Sequence, residues 1–288
     1  SRQKQYGIFT LQSLKRGPLR LEGGARFEHS RLTARPDEDI GNPALKRTFN
    51  ALSLSAGATH DLGSGWKAGL NISRSVRAPS IEELFAGGPH AGTQAFEIGD
   101  PDLNAEKSLG LEASIRRGDG PVRVTATAYY SRFSNFIYQA PTGEMDDDLP
   151  VYRYRQGKAT YYGFELEVDA KLGQALGIDW SVEGVADATR ATIHRFGSAP
   201  QIPPLRLLGA IAGSRGGFDG KIEVERVFAQ RRNASLETET PGYTVVNLGI
   251  DWHPLEDRPE LTLGINANNL FDVVARRHLL VDVDPLVT

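Results

Sequence analysis

Leu19-Arg20-Leu21-Glu22-Gly23-Gly24-Ala25-Arg26-Phe27-Glu28 is the stretch that decides the fold class. Its odd positions are apolar or small, and its even positions carry Arg20, Glu22, Arg26 and Glu28. Successive side chains of a strand point to opposite faces, so this segment reads as a strand with one oily and one charged face. The same period of two returns with Leu52, Leu54, Ala56 and Ala58, with Trp66, Ala68, Leu70 and Ile72, and with Leu109, Leu111, Ala113 and Ile115. It continues through Val122 to Tyr130, Phe164 to Ala170, Ile178 to Val182, Ile222 to Val224, Val246 to Trp252 and Leu261 to Ile265. About twelve strands are expected, several longer than the ~5 residues usual in globular proteins and reaching the ~10 that a tilted strand needs to cross a bilayer.

Composition narrows the function classes. The 288 residues carry 33 Lys and Arg against 36 Asp and Glu, a formal charge of -3, which lacks the basic excess of a nucleic-acid module. No nucleic-acid partner is expected. With 40% hydrophobic and 24% charged residues the chain has enough apolar content to fold. The absence of cysteine removes disulfides, thiolate metal sites and cysteine nucleophiles. Mean hydropathy of -0.35 and the lack of an ~18-residue apolar run exclude a membrane helix, yet both are equally natural for a transmembrane barrel, whose strands are half polar.

Connections alternate between two kinds. Short, turn-rich ones occur at Gly17-Pro18, Gly63-Ser64-Gly65, Gly118-Asp119-Gly120-Pro121, near Gly173, at Gly216-Gly217 and from Pro254 to Pro259. Long polar ones span 32–46, 80–105, 139–150, 191–204, 231–241 and 272 onward. This is the rhythm of an up-and-down antiparallel meander with tight turns at one end and long loops at the other. Arg20, Glu22, Arg26, Glu28, Glu165, Glu167 and Asp169 would line a wet interior, since a dry core could not hold them. A sheet with one face in water shares the alternation, and strand length and loop rhythm favour the barrel. Tyr129, Tyr130, Phe133, Tyr161, Tyr162, Trp66, Trp180 and Trp252 near strand ends suit interfacial girdles.

Residues 74–85, Arg-Ser-Val-Arg-Ala-Pro-Ser-Ile-Glu-Glu-Leu-Phe, are followed by Gly99-Asp100-Pro101-Asp102-Leu103-Asn104-Ala105-Glu106. With Tyr162-Gly163-Phe164-Glu165-Leu166-Glu167, Pro203-Pro204-Leu205-Arg206 and Asn268-Asn269-Leu270-Phe271-Asp272, these segments resemble, in order, those of the TonB-dependent outer-membrane receptors. The resemblance implies an all-β, antiparallel, up-and-down transmembrane β-barrel in the bacterial cell outer membrane, and no enzyme. Barrels of such transporters have about 22 strands around a plugged lumen. By the same resemblance, residues 1–288 are expected to form one partial β-barrel domain, with the amino-terminal plug and the closing strand absent. The implied partners are outer-membrane lipid, the TonB energy-coupling complex acting through the plug, and a small metal or metal-chelate ligand.

The segment Ala86 to Asp100 and the string Ala275-Arg276-Arg277-His278 look like the zinc-uptake branch of these receptors. His90, Glu97, Asp100 and His278 are the candidate metal ligands: imidazole and carboxylate bind zinc without cysteine, and all four fall in loops expected at one end. Zinc would be cargo, and no permanently bound cofactor is expected. Haem is the alternative, because haem receptors of the superfamily carry a histidine between the two boxes, where His90 stands, and imidazole ligates haem iron equally well. Siderophore transport stays open, since outer loops diverge freely. A single loop histidine is more often merely solvated, and the acidic run Glu144, Asp146, Asp147 and Asp148 more often a solvated charge cluster than a cation funnel. A passive porin would share the barrel but not the paired boxes. A soluble β enzyme would need a blade repeat or a nucleophile in its setting; Gly63-Ser64-Gly65 is a turn, and no phosphate loop or dinucleotide fingerprint occurs.

Overall fold

The computed structural model describes residues 1–36, 44–235, 237–255 and 261–278. Long strands follow one another and pair with their chain neighbours: β1 (Arg2–Arg16), β2 (Leu19–Ala34), β3 (Leu45–Gly63) and β4 (Trp66–Arg77) come first. A short helix α1 (Ile81–Phe85) and the small strands β5 (Gly87–His90) and β6 (Ala95–Ile98) intervene before β7 (Glu106–Arg117) returns beside β4. Then come β8 (Val122–Asp146), β9 (Leu149–Ala175), β10 (Ile178–Ile193), the two-residue β11 (Gly197–Ser198), β12 (Arg206–Arg215), β13 (Phe218–Val227), β14 (Tyr243–Trp252) and β15 (Leu263–Ala267). The wall runs β1-β2-β3-β4-β7-β8-β9-β10-β12-β13-β14-β15, an open sheet of antiparallel neighbours with β1 and β15 at its edges. These twelve match the strand number expected from periodicity.

Register sorts the two faces. Ile72 pairs with Leu111, Leu111 with Tyr130 and Tyr130 with Tyr162; farther along, Val182 pairs with Ile211, Ile211 with Ile222 and Ile222 with Leu248. The result is a continuous apolar belt left open to the surroundings, with Leu109 53% and Ile222 48% exposed. The other face carries the ions. Arg206 reaches Asp187 at 2.6 Å and Glu225 at 3.5 Å, and Lys221 reaches Glu183 at 2.6 Å and Glu223 at 3.7 Å. Asn247 donates to Glu223 at 3.0 Å and accepts from the Asn269 amide at 2.9 Å, which ties the turn after β15 to the wall. Lys221, Glu223 and Asn247 line a cavity of about 470 Å³ near the short turns, so the charged rows are on the concave side and the oily rows on the convex side.

Most hairpin turns sit where glycine and proline predict them. Gly17, Gly63, Gly65, Gly216 and Gly217 all have positive φ, which only a residue without Cβ adopts cheaply. Two expectations need correction. The β9–β10 turn is at Leu176-Gly177; Gly173, φ +90°, instead lies within β9, where Trp180 pairs with Gly173 but Ser181 with Lys171. Leu172 is the extra residue of a β-bulge, and glycine supplies the left-handed position such a bulge needs. Residues 139–150 form no long loop: β8 and β9 stay paired out to Asp146 and Leu149 and close through Asp147 and Asp148, both at positive φ. Asp tolerates that conformation, so a two-residue turn of the kind that suits hairpin twist is possible there.

β1 and β12 lacked a clean period-two signature. In β1, Phe9 and Leu11 share the face opposite Ile8, and every residue is exposed along this edge. In β12, Leu207 and Leu208 place apolar side chains on both faces.

The loops at the other end pack around small cores. Helix α1 starts at a capping box, Ser80 accepting from the Glu83 amide while Glu83 accepts from the Ser80 amide. It drops Leu84, with Leu103 from the return segment, against Leu32, Phe49 and Ile137. This filling is needed because β4 and β7 stop short of β3 and β8, leaving a notch in the wall.

Candidate functional site

The hairpin of β5 and β6 places His90 opposite Ala95, and β6 then lies parallel to the projecting part of β9, with Glu97 opposite Tyr152. Gly99 makes that turn possible: a Cβ there would lie 2.6 Å from the Leu84 carbonyl carbon and 2.6 Å from the Phe85 nitrogen. Glu97 is almost fully buried. Its carboxylate accepts from Thr93 Oγ1 at 2.8 Å and from the Tyr154 hydroxyl at 3.1 Å, while His90 Nδ1 stands 3.8 Å away. The Tyr154 phenol is pushed up to about 12 by burial and then by the Glu97 charge.

A second pair faces the same space. His278, 8% exposed, shares a 2.8 Å hydrogen bond between Nδ1 and Thr240 Oγ1, and its Nε2 lies 3.6 Å from Glu237 without a hydrogen bond. Glu237 is oriented by the Gln201 amide at 2.6 Å and the Ala234 amide at 2.8 Å. The loops bearing these residues are cross-tied by Gln230 and Thr240, each donating its amide to the other's carbonyl, and by Gln230 Nε2 donating to Ile202 at 2.7 Å.

Between the two pairs lies a cavity of about 550 Å³. Aromatic rings line part of it, with Phe136 and Tyr161 centroids 5.3 Å apart and Tyr138 and Phe196 4.8 Å apart. That volume and mixture of apolar rings with a few convergent polar groups belong to a small-molecule site.

Three of the four sequence-predicted residues, His90, Glu97 and His278, line this one cavity. Asp100 does not. Its backbone amide donates to the Glu83 carbonyl, and its side chain accepts from the Asp102 amide at 2.9 Å, so it shapes the turn that positions Glu97. The acidic residues 144 and 146–148 sit at the tip of the β8–β9 hairpin, away from the lining. Sequence reading missed Glu237, Thr240 and Tyr154. An acid in a polar loop carries no distinguishing pattern, and Tyr154 lies at the edge of what reads as a loop. Among the described residues no group of three or more His, Asp or Glu is gathered tightly enough to hold a metal ion. The arrangement offers separate oxygen and nitrogen donors around one volume.

Similarity to known proteins agrees with this architecture. The chain is 26% identical over 249 residues to the metal-pseudopaline receptor CntO of Pseudomonas aeruginosa strain UCBPP-PA14, covering 79% of the chain and 33% of that receptor. Its fold is similar to the copper transporter OprC, with a TM-score of 0.81 at 19% identity over 96% of the chain and 45% of the transporter. It is likewise similar to the FrpB iron transporter of Neisseria meningitidis, with a TM-score of 0.71 at 14% identity over 97% of the chain and 42% of that structure. The chain thus spans about a third of the length of the curated receptor and under half of the solved ones. Residues 1–270 match the family described as TonB dependent receptor-like, beta-barrel, and the chain belongs to that family.

Proposed function

We propose that this chain forms the wall and outer mouth of an outer-membrane receptor that captures a scarce metal, zinc foremost, as a small complex and imports it with TonB-coupled energy. The observation that carries the reading is the convergence of His90 with Glu97 and of His278 with Glu237 on one 550 Å³ cavity. The relatives named for metal-pseudopaline and copper support metal as the cargo, and the family and its relatives are receptors and transporters rather than enzymes. The convex apolar belt supports a lipid environment, because an exposed apolar surface beyond about 300–600 Å² is unusual on a soluble monomer. The concave ionic rows then line the passage, and the tight turns face the periplasm.

The reading is tested in the intact receptor by calorimetric titration with zinc chloride and with zinc bis(histidinate). Replacing both His90 and His278 by alanine is expected to weaken binding at least tenfold; unchanged affinity for both probes would reject the assignment. Titration with haemin separates the haem alternative, which predicts a Soret band that His90→Ala abolishes. Steady conductance through the intact protein without an energy-coupling partner would instead favour a passive pore.

A further inference from the structure

We infer that the cavity selects among metal complexes by charge, admitting cationic and neutral ones and turning away anionic ones. This rests on the functional reading above and adds the class of ligand. Among the described residues, Glu82, Glu97 and Glu237 line the cavity against one guanidinium, that of Arg276. The two best-buried carboxylates receive neutral donors: Thr93 and Tyr154 on Glu97, and backbone amides on Glu237. Hydrogen bonds of this kind satisfy the oxygens without cancelling their charge, so the negative potential extends into the cavity.

Two tyrosines of the wall stand beside these carboxylates. Tyr152, like Tyr154, holds its proton beyond the ordinary phenol range, through burial and then through the charge of Glu237. The carboxylate charges on the lining disfavour a catecholate or carboxylate-rich chelate in the space between them. A further sign that a ligand belongs here is the Nε2 of His278. It is buried on the cavity lining with no hydrogen-bond partner, a position that leaves a nitrogen in reach of an incoming group. Specificity built this way is repulsive as well as attractive: an anionic complex would face carboxylates from two sides of the cavity.

The test uses one metal in three complexes of different charge on the intact receptor: dicationic zinc–triethylenetetramine, neutral zinc bis(histidinate) and dianionic zinc–EDTA. Affinities are expected to fall in that order, by roughly tenfold per step of two charges, and the spread to narrow as salt is added. Glu97→Gln with Glu237→Gln is expected to compress the spread. Should that pair of changes disturb folding, Glu82→Gln on the exposed side of α1 is expected to compress it by a smaller factor. If the dianion binds as tightly as the dication, charge selection is overturned while the metal-receptor reading stands. If none of the complexes binds, the functional reading itself fails and the inference with it.

Discussion

Arg77 and Glu106 face each other across β4 and β7 as a forked ion pair, Nε to Oε1 at 3.2 Å and Nη2 to Oε2 at 3.2 Å. They are the last wall residue before the long loop and the first one after it, so the pair closes the base of residues 78–105. The same guanidinium grips Glu83 of α1 at 2.7 Å, and the same Glu106 accepts the Ile137 amide at 2.9 Å. One cation thus joins the wall, the helix and the projecting hairpin beneath the segment that carries His90 and Glu97.

Arg77→Ala is therefore expected to loosen the loop without unfolding the wall. Charged hydrogen bonds of this kind are worth about 1.5–3 kcal/mol each, and part of that is lost to solvent screening because Arg77 is partly exposed. Hydrogen exchange should accelerate across residues 81–103 and stay unchanged in β12 to β14. Equal protection throughout would show that the apolar contacts of Leu84 and Leu103 hold the loop alone.

Gly99→Ala tests the close passage of the chain behind α1. The added methyl would lie 2.6–2.7 Å from backbone atoms of Leu84, Phe85 and Ala86, none of which can swing aside as a side chain would. Overpacking of this sort costs about 1–3 kcal/mol. The expected result is faster limited proteolysis between residues 85 and 98 and at least several-fold weaker binding of zinc bis(histidinate), with wall circular dichroism preserved.

The two faces of the wall are separable by placing the same residue on each. Leu111→Arg puts a cation in the middle of the convex belt, at a cost of about 2–4 kcal/mol if that face meets hydrocarbon. Thr127→Arg, opposite Glu165 on the concave face, should change stability by less than about 1 kcal/mol. Denaturant unfolding from lipid vesicles measures both. A reversed order would mean the oily rows do not face lipid.

Alkaline titration probes the buried Tyr154 phenol beside Glu97. The phenol is raised from its ordinary value near 10 to about 12 in the folded state, so between those pH values the unfolded chain has lost a proton that the native chain keeps. The stability it contributes is whole below about pH 10 and is lost as pH rises through about 12. Tyrosinate absorbance of the wild type minus Tyr154→Phe should show a transition near 12. A difference transition near the ordinary phenol value would mean the hydroxyl is neither buried nor set against the Glu97 charge.

Legibility followed the range of the interactions. Glycine and proline marked the turns at 17–18, 64–65, 118–121 and 216–217, because a turn needs its φ angles from its own residues. The outer half of the β8–β9 hairpin reads as loop, because burial there does not alternate: Ala140 is buried, its neighbours are half-buried and the tip is exposed. Its backbone pairs through Pro141 and again at Met145 and Asp146, and the register shift between them keeps either face from holding a period of two.

Periodicity of two is a property of each strand by itself, so the order of the chain alone determined an antiparallel wall of about twelve strands with one oily and one ionic face. Which loop side chains share a cavity is decided at longer range, by the docking of β6 on β9 and by the cross-ties at Gln230 and Thr240. Those contacts brought Glu97 beneath Tyr154 and set the otherwise unremarkable Glu237 against His278, while turning Asp100 to the support of its own loop. Loops without a repeating face carry no local record of their neighbours, and only the closure of the folded chain reveals them.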